Sequence, residues 1–135
     1  MLSETHKDLV DRMIVLENLM ETLENDLNTV NAVPFKIPEV YQAFIQEILE
    51  MTWQDIVKLK KVFMEENIKI LTKREDNGFT QYQYLTNGYE SVFRYWSYAM
   101  NMKVLKAMED YIARLKNSSI KPNNTPFLSK RHDRD

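Results

Sequence analysis

Both glycines of this 135-residue chain fall in one short window, Asp76 to Ser91, which reads DNGFTQYQYLTNGYES, and each follows an asparagine. The scarcity of glycine outside that window favours long regular elements over a turn-rich β fold. With only four prolines to interrupt them, those elements are helices. Inside the window, Asn-Gly is the dipeptide most favoured in a two-residue hairpin turn, because both central residues of a type I′ turn need positive φ. The runs on either side of Asn77-Gly78, NIKILTKRED and FTQYQYLT, are rich in residues that suit strands. A turn there pairs Asp76 with Phe79, Arg74 with Gln81, Thr72 with Gln83 and Ile70 with Leu85. Ile68, Ile70, Thr72, Phe79 and Leu85 then share one face, and Leu71, Tyr82 and Tyr84 share the other with Lys69 and Lys73. Asn87-Gly88 is expected to stop the second strand and release the chain into a helix. A competing reading extends the preceding helix through Leu71 and Arg74, since Met64, Ile68 and Leu71 also keep helical spacing. The hairpin is preferred, since Asn-Gly is the favoured turn dipeptide between two strand-suited runs.

Three long helices surround this segment. Ser3 is placed to cap the first, which runs to about Thr29. Along it Leu9, Met13, Leu16, Met20, Leu23, Leu27 and Val30 recur with spacing 4, 3, 4, 3, 4, 3, an a/d seam sustained for about three heptads. Packing inside one chain would use such a seam, and so would pairing with an identical helix, so Leu9, Met13, Leu16, Met20, Leu23 and Leu27 are the candidate contacts of a homodimer. The segment NTVNAVPFKIPEV breaks the pattern, and Pro38 suits the first turn of a second helix reaching about Glu66. Its apolar arc is wide, with Tyr41, Phe44, Ile48, Leu59 and Val62 beside Ile45, Leu49, Trp53, Ile56 and Phe63. A third helix is expected from about Tyr89 to Lys116, with Val92, Phe93, Trp96, Met100, Ala107, Met108, Tyr111 and Leu115 toward the core. Tyr95, Tyr98, Met102, Leu105 and Ile112 make a second apolar line on it. The tail NSSIKPNNTPFLSKRHDRD is polar and aperiodic, which predicts disorder over 118–135. The expected fold is therefore mainly α: a three-helix up-and-down bundle with a β-hairpin at about 67–86 inserted between helices 2 and 3, one domain over 1–117, and a disordered C-terminal tail.

Charge is divided along the chain. Residues 1–66 carry 13 acidic and 6 basic side chains, whereas residues 67–135 carry 7 acidic and 12 basic. Segments of opposite sign facing each other within a fold or dimer account for this division. The basic residues of the second half are interleaved with Glu90, Glu109 and Asp110, so no dense stripe forms and a nucleic-acid role ranks second. No apolar run approaches the roughly 20 residues needed to span a bilayer. MLSETHKDLVDRM has no apolar signal core, so a cytoplasmic location is expected and no membrane association.

The supply of catalytic groups is thin. There is no cysteine, and the two histidines, His6 and His132, lie near the ends. A di-metal helical bundle needs Glu-x-x-His pairs on facing helices, and none occurs. Glu47 and Glu50 are the best-spaced carboxylates, yet a solvated helix edge explains them. No phosphate-binding glycine loop or nucleophile elbow is present. These absences imply no catalytic residue, metal or cofactor, and an enzymatic or small-molecule-binding bundle ranks third. The aromatic supply points elsewhere. GYESVFRYWSYAMNM places Tyr89, Phe93, Tyr95, Trp96 and Tyr98 around Arg94, and these are the residue types enriched where proteins meet. Tyr82, Tyr84, Arg94, Tyr95 and Tyr98 are thus the candidate interaction surface. The expected function is a small non-enzymatic interaction or regulatory protein that acts on a protein partner through helix faces and the hairpin.

Overall fold

The computed structural model describes residues 4–119. The proposed Ser3 cap and nearly all of the 118–135 tail lie outside the described residues. The element order is α1 (Glu4–Ala32), α2 (Pro38–Glu65), β1 (Ile68–Asp76), β2 (Phe79–Thr86), β3 (Tyr89–Trp96) and α3 (Ser97–Ser119).

α1 and α2 form an antiparallel hairpin whose open ends are joined by His6 Nε2 and Glu66 Oε1 at 2.9 Å. Their shared seam buries Met13, Leu16, Leu23 and Val30 of α1 with Ile45, Ile48, Ile56 and Phe63 of α2. The 4-3 spacing on α1 supplies one side of this contact, and the wide arc of α2 supplies the other. Pro38 opens α2 in its first turn, as its fixed φ and missing N–H allow.

The segment after α2 is a three-stranded antiparallel meander in the order β1-β2-β3, one strand more than the expected hairpin. The expected helix over Tyr89–Trp96 is a strand instead, so α3 begins eight residues later than the helical spacing suggested. The reason is local. Asn87 and Gly88 have φ +52° and +84°, nearly repeating the +48° and +84° of Asn77 and Gly78. Positive φ at both central residues makes each pair a reversing turn, so the chain after Gly88 returns along β2. YESVFRYW then buries Tyr95 and half-buries Ser91 and Phe93 on one side while Val92, Arg94 and Trp96 face solvent, an alternation of period two.

The pairing of β1 with β2 follows the expected register from Asp76↔Phe79 to Thr72↔Gln83, then shifts so that Ile70 opposes Tyr84. Leu71 is the extra residue of a bulge. One inserted residue moves everything before it to the opposite face. Ile68 and Ile70 therefore join Lys73, Tyr82 and Tyr84 on one face, and Lys69 leaves the tyrosines for the other. This corrects the expected grouping of side chains on the hairpin.

The sheet lays its tyrosine face on α1. Asn18 Nδ2 donates to the Tyr82 hydroxyl at 3.0 Å, and the Tyr95 hydroxyl donates to Asp11 Oδ1 at 2.6 Å. α3 is anchored at its first residue, where the Ser97 N–H and hydroxyl both donate to the Gly78 carbonyl at 2.8 and 3.0 Å. It then crosses α1, with Lys103 Nζ 3.4 Å from Asp11 Oδ2, and reaches α2, where Tyr111 and Arg114 both donate to Asp55. The architecture is mainly α: an α-helical hairpin on whose open half a three-stranded meander and a third helix dock. No helix among the described residues is long and apolar enough to cross a membrane.

The two turns make a measurable claim. A Cβ added to Gly88 would meet nothing within 4 Å, so any penalty comes from the backbone alone. Gly88→Ala is expected to lose about 1–2 kcal/mol, the steric cost of a left-handed residue with a Cβ. Urea denaturation of the two proteins measures it, and an unchanged midpoint would rule out the turn.

Candidate functional site

The five candidate surface residues fall into two groups. Tyr82, Tyr84 and Tyr95 are buried on the packed face of the sheet. Tyr84 stacks on Phe93 at 5.2 Å between centroids, and Tyr82 meets Tyr95 edge-on at 5.9 Å. Burial and then the hydrogen bond to Asp11 push the Tyr95 phenol well above its ordinary pKa, so it stays protonated. Tyr82 and Tyr95 hold the sheet on α1, and Tyr84 stacks on Phe93 in the same core. Arg94 and Tyr98 remain exposed, and Tyr98 is 75% accessible.

The register puts Arg94 on the face turned away from α1. There Arg74, Gln81 and Arg94 form one row across the strands; Asp76, Phe79 and Trp96 form the next; Thr72, Gln83 and Val92 form a third. At one corner the Phe79 ring lies between two neighbours. The Trp96 ring centroid is 3.6 Å away on a tilted plane, and the Arg94 guanidinium carbon is 4.4 Å from the Phe79 centroid. Trp96 is still 59% exposed, and Val92, two rows away on the same face, is exposed as well. Thr72 donates to Gln83 Oε1 at 3.2 Å, and the Gln83 amide in turn donates to Glu90, which fixes the polar centre of the face.

Sequence reasoning missed Trp96 and Phe79 as members of this surface. The signal was present in the two-residue alternation of YESVFRYW, but the same residues also satisfy a helical stripe through Val92, Phe93, Trp96 and Met100.

The candidate dimer contacts lie inside the chain's own core. Met13, Leu16 and Leu23 are buried, and Leu9, Met20 and Leu27 are half-buried against the same cluster. A homodimer built on these side chains would require the α1–α2 hairpin to open.

Other polar clusters lie along the helices. An open groove of about 440 Å³ between α1 and α3 is lined by Asp11, Arg12, Met102, Lys103, Lys106 and Asp110, among others. Its charges pair locally, with Lys103 to Asp11 at 3.4 Å and Lys106 to Asp110 at 3.3 Å. Glu17 lies within electrostatic reach of Lys60 and Lys73. The surrounding protein raises its carboxyl pKa, and the two lysine charges only partly offset that. Among the described residues no group of three or more His, Cys, Asp or Glu side chains is arranged to hold a metal ion.

Comparison with known proteins sets this architecture in a family. No solved structure matches the chain. The uncharacterized protein YhjD of Bacillus subtilis (strain 168) is 25% identical over 111 residues, which span 82% of this chain and 92% of that relative. The family model for the YhjD protein matches residues 1–116, a span that takes in α1, α2, the whole meander and most of α3, and the chain therefore belongs to the YhjD protein family.

Proposed function

We propose that this protein is a non-enzymatic interaction or regulatory module that engages a protein partner through the unpacked face of its meander. The carrying observation is the corner where Trp96, Phe79 and Arg94 stack yet leave Trp96 59% exposed. Tryptophan, tyrosine and arginine dominate the binding energy of protein contacts: the aromatic rings bury a large area with only two torsions to freeze, and the planar guanidinium adds stacking and forked hydrogen bonding. Here the Phe79 ring already orients both Trp96 and Arg94, so little order has to be gained on binding. Tyr98, two residues on in the first turn of α3, is exposed too.

Trp96→Ala is the test. Removing an exposed ring that touches Phe79 should lower stability by less than about 1.5 kcal/mol. The same change at the centre of an interface should weaken binding by about 2 kcal/mol or more, roughly 30-fold. The partner is identified by a photocrosslinker in place of Gln81 in the native host, and its affinity for the purified protein and variant is then measured. Equal affinities would overturn the reading. Light scattering of the purified protein reports whether it forms a homodimer.

A nucleic-acid partner is the second reading, favoured by Arg74 and Arg94 flanking Gln81 in one row beside two aromatic rings. Asp76 and Glu90 share that face and weaken its field. A steep loss of single-stranded oligonucleotide binding with added salt would support this reading over the first.

A further inference from the structure

The far end of the α1–α2 hairpin carries a second surface, distinct from the meander face. The connection between the helices and the first turn of α2 expose Val33, Phe35, Ile37, Val40 and Tyr41, with the Phe35 and Tyr41 rings 5.0 Å apart and Ile37 58% accessible. Turns ordinarily carry polar residues and a helix N-cap ordinarily carries Ser, Thr, Asp or Asn. Here Ile37 occupies the N-cap of α2 and makes no side-chain capping hydrogen bond. A cap is worth about 1 kcal/mol, so the sequence forgoes stability to keep an isoleucine in water. Departures of this kind from a local rule concentrate at functional positions.

The helices below the tip are acidic. Between residues 21 and 50 there are six carboxylates, Glu21, Glu24, Asp26, Glu39, Glu47 and Glu50, against the single cation Lys36. All six are exposed, and among the described residues none of them forms a salt bridge. The sheet and α3 dock lower down, at Asp11, Asn18 and Asp55, so they do not neutralise this end.

We infer that the hairpin tip docks a protein segment that is net basic and carries aliphatic or aromatic side chains. The apolar groups seat on Phe35, Ile37 and Tyr41, and the lysines or arginines reach the carboxylates on the adjoining helix turns. The charge selects this occupant over its rivals. Two tips of this sign repel each other, which disfavours tip-to-tip pairing of two copies, and an anionic lipid surface repels them equally.

The experiment places photoreactive benzoylphenylalanine in place of Ile37 in the full-length chain, expressed in the native host, and sequences the crosslinked peptides. The expected result is a protein segment of net positive charge containing large apolar residues. Its yield should fall about tenfold in a Glu24→Lys, Glu47→Lys background, since both changes reverse the attracting field. Trp96→Ala, which tests the meander face, should leave the yield unchanged. Circular dichroism confirms that each variant retains its helix content. Adducts to lipid, to a second copy, to this chain's own residues, or to neutral or acidic segments would overturn the inference. So would a yield insensitive to the charge reversal, or no adduct at all.

Discussion

Leu16→Ala is expected to destabilise the protein by about 2–5 kcal/mol, and Leu23→Ala by a similar amount. Both side chains are enclosed where α1 meets α2, at 0% and 2% exposure. Truncating either removes apolar area from the core and leaves a cavity that rigid helices close only in part. The two sites lie two helical turns apart, so their losses should nearly add. Together they approach the 5–15 kcal/mol that holds a typical domain folded. Denaturant titration of the single and double variants measures this, with Glu21→Ala as an exposed control within about 0.5 kcal/mol of the parent. The outcome also locates the seam. Leucines that stabilise their own subunit give a loss that does not change with protein concentration, whereas a seam formed between subunits gives one that grows on dilution. A loss below about 1 kcal/mol for Leu16→Ala would contradict the packing described here.

The same seam shows what periodicity can and cannot convey. Spacing of 4 and 3 identified the face of α1 that is buried, and Pro38 located the start of α2, because both signals act within a few turns of one helix. Whether the seam meets another part of the chain or another copy depends on α2, whose arc is wide enough to cover it. The meander was harder to read for two physical reasons. Leu71 carries no glycine or proline to mark a bulge, so counting by twos ran straight through it and exchanged the faces of Ile68 and Ile70. Residues 89–96 hold aromatic and β-branched side chains that fit either period. Their state is set by the φ of Asn87 and Gly88 and by the free edge of β2, and a helical stripe contains neither. The candidate surface divided along the same line. Tyr82 and Tyr84 were grouped correctly as partners on one face, but the alternation that exposes Arg94 and Trp96 while burying Tyr95 exists only once that segment is a strand.

Asp55 is the second position where a large effect is expected. Its carboxylate accepts hydrogen bonds from the Tyr111 hydroxyl at 2.6 Å and from Arg114 at 3.1 Å, with Arg12 4.0 Å away. One side chain of α2 thus fixes α1 and α3. Asp55→Ala is expected to lose about 2–4 kcal/mol, because it strands the hydroxyl of a buried tyrosine as well as removing a charged acceptor. Tyr111→Phe removes one hydrogen bond and keeps the ring, so its loss should be nearer 1.5 kcal/mol. The dependence on pH separates this account from simple packing. Desolvation alone would raise the Asp55 pKa, but the hydrogen bonds from Tyr111 and Arg114 and the charges of Arg114 and Arg12 prevail and hold it below the usual range. A depressed folded-state pKa means that the stabilisation is present above the unfolded pKa, about 3.9, and fades as pH falls through the lower folded value. Tyr111 works from the other side. Burial and the Asp55 contact push its pKa up to about 12, so its share is intact below about pH 10 and is lost as pH rises toward that value. The stability gap between the parent and Asp55→Asn should therefore stay level from about pH 5 to 9 and narrow on both sides. A gap that held constant down to about pH 2 would show that Asp55 acts by packing and not by charge.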